Sequence, residues 1–106
     1  MWIVQFANIR VQNEVEALKR KKLLTDEDQR IIKTWIMQMQ FDGPESIRKN
    51  PTWNDHELQN DWEGFRSSSF SNKGRIIYKI EDKKIFIQIA RITVDHNYRG
   101  TSGKNK

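Results

Sequence analysis

Two histidines and a set of arginines are the side chains of this 106-residue sequence best suited to chemistry on a phosphate. His56 opens a region of alternating apolar residues, and His96 follows its end. An imidazole holds or releases a proton near neutral pH, so a pair flanking one phosphodiester supplies a base and an acid. In an antiparallel meander the start of one strand and the end of another meet at one edge, as such a pair requires. From spacing alone, each histidine reads first as an exposed loop residue. Arg75 alternates onto the face of Ile77 and Lys79, Arg66 onto the face of Ser68 and Phe70, and Arg91 lies near the end of the last apolar run. Guanidinium groups on an open sheet face bind phosphate and stabilise charge on pentavalent phosphorus. Trp62, Phe65, Phe70 and Tyr78 offer rings for base stacking, although at least two of them are needed for the core.

Other chemistries lack their residues. The sequence has no phosphate-binding glycine loop, no dinucleotide turn and no histidines at metal-ligand spacing. The run Ser67-Ser68-Ser69 has no nucleophile-elbow pattern and reads as a polar sheet face. Cysteine is absent, which removes disulfides, thiolate catalysis and cysteine-held zinc and suits a cytoplasmic protein. A net charge of +5 points towards a polyanionic or acidic partner. The N-terminal run is too short for a signal peptide, and no apolar run is long enough to span a bilayer. No cofactor and no membrane are expected.

The elements that must position these residues follow from periodicity. Trp2 to Phe6 reads as a short strand. Asn8 caps a helix whose apolar face is Val11, Val15 and Leu18, and its basic end, Lys19 to Lys22, suits the helix dipole or contacts phosphate. Thr25, followed by acidic residues, caps a second helix with the stripe Ile31, Ile32, Trp35, Ile36 and Met39. Asp42-Gly43-Pro44 breaks it, and residues 42–54 read as loop. The period then changes to two. A short strand falls around His56 to Gln59, and longer ones at Phe65 to Ser71, Arg75 to Ile80 and Ile85 to Ile92. The fold class is α+β: an N-terminal strand and a two-helix hairpin packed on one face of an antiparallel sheet of about four strands, the other face partly open. Residues 1–98 form one domain, with 99–106 a loose basic tail.

The segments Asp55-His56-Glu57-Leu58, Asp61-Trp62-Glu63-Gly64-Phe65-Arg66 and Arg75-Ile76-Ile77-Tyr78 resemble the RelE/ParE toxin superfamily of type II toxin–antitoxin systems. The likeness is greatest to its YafQ-like and YoeB-like branches and spans roughly residues 54–98. The resemblance implies a ribosome-dependent endoribonuclease that cleaves A-site mRNA by attack of the ribose 2′-OH. It implies His56 as general base, Arg75 on the scissile phosphate and His96 as general acid. Arg66, Lys73, Tyr78, Arg91 and Tyr98 would contact RNA. It also implies a cognate antitoxin, and operator DNA only through the antitoxin complex. The chain departs from YafQ-like members at Ser67, Ser69 and Lys73, where they carry acids or histidines. The run Ile92 to Asp95 before His96 is longer than in YoeB-like chains. Two alternatives stay open: a gyrase-inhibiting toxin of ParE type, and an inactive relative acting only as antitoxin partner or co-repressor.

Overall fold

The computed structural model describes residues 1–82 and 84–93, with side chains as far as Phe86. Strand β1 (Ile3–Phe6) leads into helices α1 (Ile9–Arg20) and α2 (Asp26–Asp42). Asn8 Oδ1 accepts from the Val11 amide, so the expected cap is in place. Thr25 and Asp28 form a reciprocal capping box at the start of α2. These caps fix where each helix begins. Val11 and Val15 of α1, and Ile32, Trp35 and Met39 of α2, then fall on faces turned to the core.

Residues 42–54 are not the plain loop that Gly43-Pro44 suggests. They hold a third helix, α3 (Pro44–Lys49), and a 3-10 turn (Pro51–Trp53). Each starts on a proline, whose fixed φ suits a first helical turn. Ile47 and Trp53 are buried, so this segment closes one side of the core. Gly43 joins α2 to α3 at φ +84, and a Cβ there would stand 2.6 Å from the Trp2 Nε1. Backbone conformation and the tryptophan both demand glycine.

The rest of the chain is sheet: β2 (His56–Glu57), β3 (Arg66–Ser69), β4 (Arg75–Glu81) and β5 (Lys84–Thr93). The order is β1-β5-β4-β3-β2. The meander is antiparallel as expected. The N-terminal strand adds a fifth position by pairing with β5 in parallel, Val4 beside Ile85. A parallel partner requires a crossover, and α1 and α2 supply it. Between β4 and β5 the register slips: Tyr78 pairs Ile87, whereas Ile76 pairs Ile92. The extra residues sit in β5 between Ile87 and Ile92.

The helices cover the sheet face that carries Ser68, Ile76 and Tyr78. Trp35 of α2 stacks edge-on against Tyr78 with ring centroids 5.2 Å apart. Strand alternation therefore places Ser67, Ser69, Arg75 and Ile77 on the opposite face. Gly43→Ala is expected to lower the unfolding free energy by more than about 1 kcal/mol, since strain and contact with Trp2 act together. Urea unfolding of the variant against the wild type measures it.

Candidate functional site

Register decides which of the candidate residues share a face. His56 pairs with Ser67, and Ser67 with Ile77. Ser69 pairs with Arg75, and Arg75 with Thr93. Directly paired residues project to the same side of a sheet, so His56, Ser67, Ser69 and Arg75 lie together on the face away from the helices. Two strand spacings, about 10 Å, separate β2 from β4. Arg75 is further offset from His56 by two residues along β4, since Ile77 and not Arg75 stands across the ladder from His56. Sequence alternation put Arg75 on this face, and the two-residue strand at His56 brings the imidazole to it.

His56 is exposed, and its Nδ1 lies 3.0 Å from the backbone carbonyl oxygen of Asn54. A carbonyl can only accept, so Nδ1 carries the proton and a neutral ring leaves Nε2 as the free base. Asn54 reaches this position with φ 46 and ψ 46, a left-handed conformation that asparagine tolerates better than most residues. Arg75 is half-buried. Its Nη1 donates to the carbonyls of Ser71, Asn72 and Gly74 at 2.8–3.3 Å, so the hairpin turn holds the guanidinium by one nitrogen. Its Nε and Nη2 make no hydrogen bond to a described residue. Lys73 is exposed in the same turn. At the end of this row a cleft of ≈ 660 Å³, walled by Ile31, Thr34 and Gln38 of α2 and by Trp53, reaches Ser69 and Arg75 but not His56. A second cleft of ≈ 750 Å³ on the other flank mixes Arg48 and Arg66 with Glu57 and Glu63, a balance less suited to a polyanion.

Arg66 and Tyr78 are corrections to the sequence reading. Both lie on the helix-covered side, paired with each other across β3 and β4. Tyr78 is wholly buried, with its ring against Trp35, and has no face left for a base. Phe70 is buried as well, whereas Trp62 and Phe65 pack edge-on against each other at 5.4 Å, partly exposed. Arg66 donates from Nε to Asp55 Oδ1 at 2.7 Å, so a carboxylate already balances its charge. The serine run is likewise no exposed polar face, because Ser67 and Ser68 are buried. Arg91 falls in β5 between the two registers. His96, Tyr98 and the tail at 99–106 lie outside the described residues.

Sequence reasoning missed Asp55. Its side chain is fully buried. Oδ2 accepts from the Ser68 hydroxyl at 2.6 Å and from the Tyr78 hydroxyl at 2.7 Å, while Oδ1 takes Arg66. Ser68 Oγ in turn accepts from Trp35 Nε1 at 3.0 Å. One carboxylate thus ties β3, β4 and α2 to the residue preceding His56. The only trace in sequence is that Arg66, Ser68 and Tyr78 are polar groups on one face; once helices cover that face, they need a common partner. Burial, then the neighbouring charge of Asp55, pushes the Tyr78 hydroxyl far above its ordinary value of 10.0. Burial alone would lower Arg66, but its hydrogen bond to Asp55 and the carboxylate charge outweigh that and raise it.

No protein-family model matches the chain, and no curated protein matches it in sequence. Solved structures do match. YafQ from E. coli strain BL21(DE3) superposes with a TM-score of 0.62 at 18% identity, over 83% of this chain and 89% of that one. A copper-bound mutant toxin from Helicobacter pylori gives 0.62 at 20% identity, over 82% and 89%. The YoeB-YefM complex from Staphylococcus aureus gives 0.62 at 12% identity, over 83% and 92%.

Adjacent serines are expected to respond in opposite directions. Ser68→Ala strips a donor from Asp55 and an acceptor from Trp35, and lowers stability by about 1–3 kcal/mol. Ser67 Oγ is buried with no partner among the described residues, so Ser67→Ala is neutral or stabilising, by up to about 1 kcal/mol. Thermal unfolding of both variants checks the contrast. Tyr78 sets an alkaline limit. A raised folded-state value contributes stability that is complete below pH 10 and lost as pH rises above it, where the unfolded tyrosine ionises and the folded one does not. Tyr78→Phe lacks that component, so its stability gap to wild type narrows above pH 10 in urea titrations.

Its strand order, the packing of its helices on one sheet face and these superpositions give this chain the fold of the RelE/ParE toxin superfamily.

Proposed function

We propose that this chain is the toxin of a type II toxin–antitoxin system, and that it cuts mRNA on the ribosome. The observation that carries the reading is the face shared by His56 and Arg75, with the tautomer of His56 set by the Asn54 carbonyl. His56 Nε2 takes the proton of a ribose 2′-OH. The O2′–P bond forms as the P–O5′ bond breaks. The products are a 2′,3′-cyclic phosphate and a 5′-OH, whose proton comes from His96 in its charged form. Arg75, whose Nε and Nη2 make no hydrogen bond to a described residue, takes the non-bridging phosphate oxygens and balances the charge that develops on them. Lys73 and Arg91 supply further positive charge along the RNA.

The partner reading rests on similarity of fold. One solved neighbour is the E. coli DinJ-YafQ toxin-antitoxin complex and another the S. aureus YoeB-YefM complex. A +5 chain suits an acidic segment folding onto it as antitoxin. The site is expected to be non-metallic, and among the described residues no cluster of histidines and carboxylates is arranged to hold a metal. No described helix is long and apolar enough to cross a membrane.

Primer extension on an mRNA after brief expression tests the reading. Cuts in the reading frame that require translation are expected with the wild type. His56→Ala should lower the rate about 10²–10⁴-fold, the range for loss of a general base. Arg75→Ala should lower it at least about 10²-fold, as removal of a donor to a developing oxyanion does. Growth arrest with intact mRNA would overturn the nuclease reading and favour a gyrase-directed toxin. No arrest would favour the inactive relative.

A further inference from the structure

We propose that Asp55 is a positioning residue for His56, holding the imidazole in place on the face it shares with Arg75 through a buried hydrogen-bond cluster. The inference rests on the reading of His56 as base, and deepens it.

His56 stands on an insecure element. Strand β2 has two residues, both exposed, at the edge of the sheet. Its register partners are Ser67 and Arg66 alone. An edge strand of that length has too few ladder bonds to stay paired by itself, and such elements open first. Before it comes the left-handed Asn54, and after it Leu58, whose amide reaches the Phe65 carbonyl at 2.9 Å. A base on so short a strand would wander by more than the fraction of an ångström that proton transfer tolerates.

Asp55 removes that freedom. Its backbone lies between Asn54, which fixes the His56 ring, and His56 itself. Its carboxylate points the opposite way, into the covered face, and is anchored three times: on Arg66 and Ser68 of β3 and on Tyr78 of β4. Through Ser68 the anchor continues to Trp35 on α2, which is completely buried. Two of the residues that hold Asp55, Ser68 and Tyr78, are wholly buried, and the residue it holds is exposed. Alternation along the chain carries this to the next residue: with Asp55 pinned inward, His56 faces outward. The Asn54 carbonyl is then in place to accept from Nδ1 and leave Nε2 free.

A purely structural carboxylate would give the same loss of stability on mutation, so the test reads the imidazole directly. Asp55→Asn keeps the shape and loses the charge that balances Arg66. The side-chain nitrogen shifts of His56 report which ring nitrogen bears the proton, and amide exchange reports opening of β2. In the wild type the Nδ1–H tautomer should dominate. In Asp55→Asn it should give way to a mixture, with amide exchange at His56 and Glu57 at least tenfold faster. Cleavage should fall about tenfold in kcat with little change in KM, since RNA binding by Arg75 is untouched. Asp55→Glu should not restore it, because the longer side chain cannot take all three donors at these distances. If Asp55→Asn does not fold, Tyr78→Phe removes one anchor of the same carboxylate and should shift tautomer and exchange in the same direction, less far. An unchanged tautomer and unchanged exchange at β2 in a folded variant would overturn the proposal. A tautomer that shifts in a protein without nuclease activity would uphold the positioning role and overturn the role of His56 as base.

Discussion

One buried carboxylate organises this molecule. Removing the Asp55 charge from water costs several kcal/mol, and the attraction of Arg66 by itself seldom recovers that. What makes the arrangement tenable is saturation. Both oxygens are occupied, by a guanidinium and two hydroxyls at 2.6–2.7 Å. Apolar residues of the same volume would fill the space with similar stability. They would not fix directions. Hydrogen bonds to β3 and β4, continued to Trp35, set the angle between the end of the 3-10 turn and the sheet. The place of β2, and with it of His56, follows from that angle.

The two faces of the sheet divide the labour accordingly. On the covered side Arg66, Ser68 and Tyr78 alternate with period two and spend their polar groups on one another and on Asp55. On the face away from the helices His56 and Arg75 occupy the intervening positions, with Ser69 and the buried Ser67 between them. A one-residue slip of β3 would exchange the sets, turning Ser67 and Ser69 towards the helices and the partners of Asp55 away from them. The polar cluster therefore acts as a register key. Only one alignment gives the carboxylate its three donors.

Much of this was legible in the chain. The caps at Asn8 and Thr25, the apolar stripe through Trp35 and the hairpin before Arg75 all follow from local rules, and the structure keeps them. Alternation correctly separated the face of Arg75 from that of Arg66. What alternation cannot say is which face the helices cover, because Arg66 and Arg75 look equally solvated in sequence. That ambiguity made Arg66 and Tyr78 candidate RNA contacts. Burial of Tyr78 and the ion pair of Arg66 resolve it, and both trace to a residue eleven positions before Arg66 in the chain. Contacts between residues that far apart carry no local signature. The third helix escaped for a related reason: Pro44 and Pro51 read as breakers, and they are also good first residues of short helices. Only the burial of Ile47 and Trp53 favours the second reading.

Ser67 marks where stability and site geometry part company. Its hydroxyl is buried without a partner among the described residues, directly between His56 and Ile77 in the ladder. An alanine would remove that desolvation cost. Valine would suit the strand better still. Ser67 is fully enclosed, however, as is its ladder partner Ile77, so a larger side chain between His56 and Ile77 would have to displace its neighbours. Small hydroxyl residues stand on the middle strand, while the long side chains of the candidate site, His56 and Arg75, stand on the strands to either side. The cluster around Asp55 on the reverse of the same strand keeps that row in register.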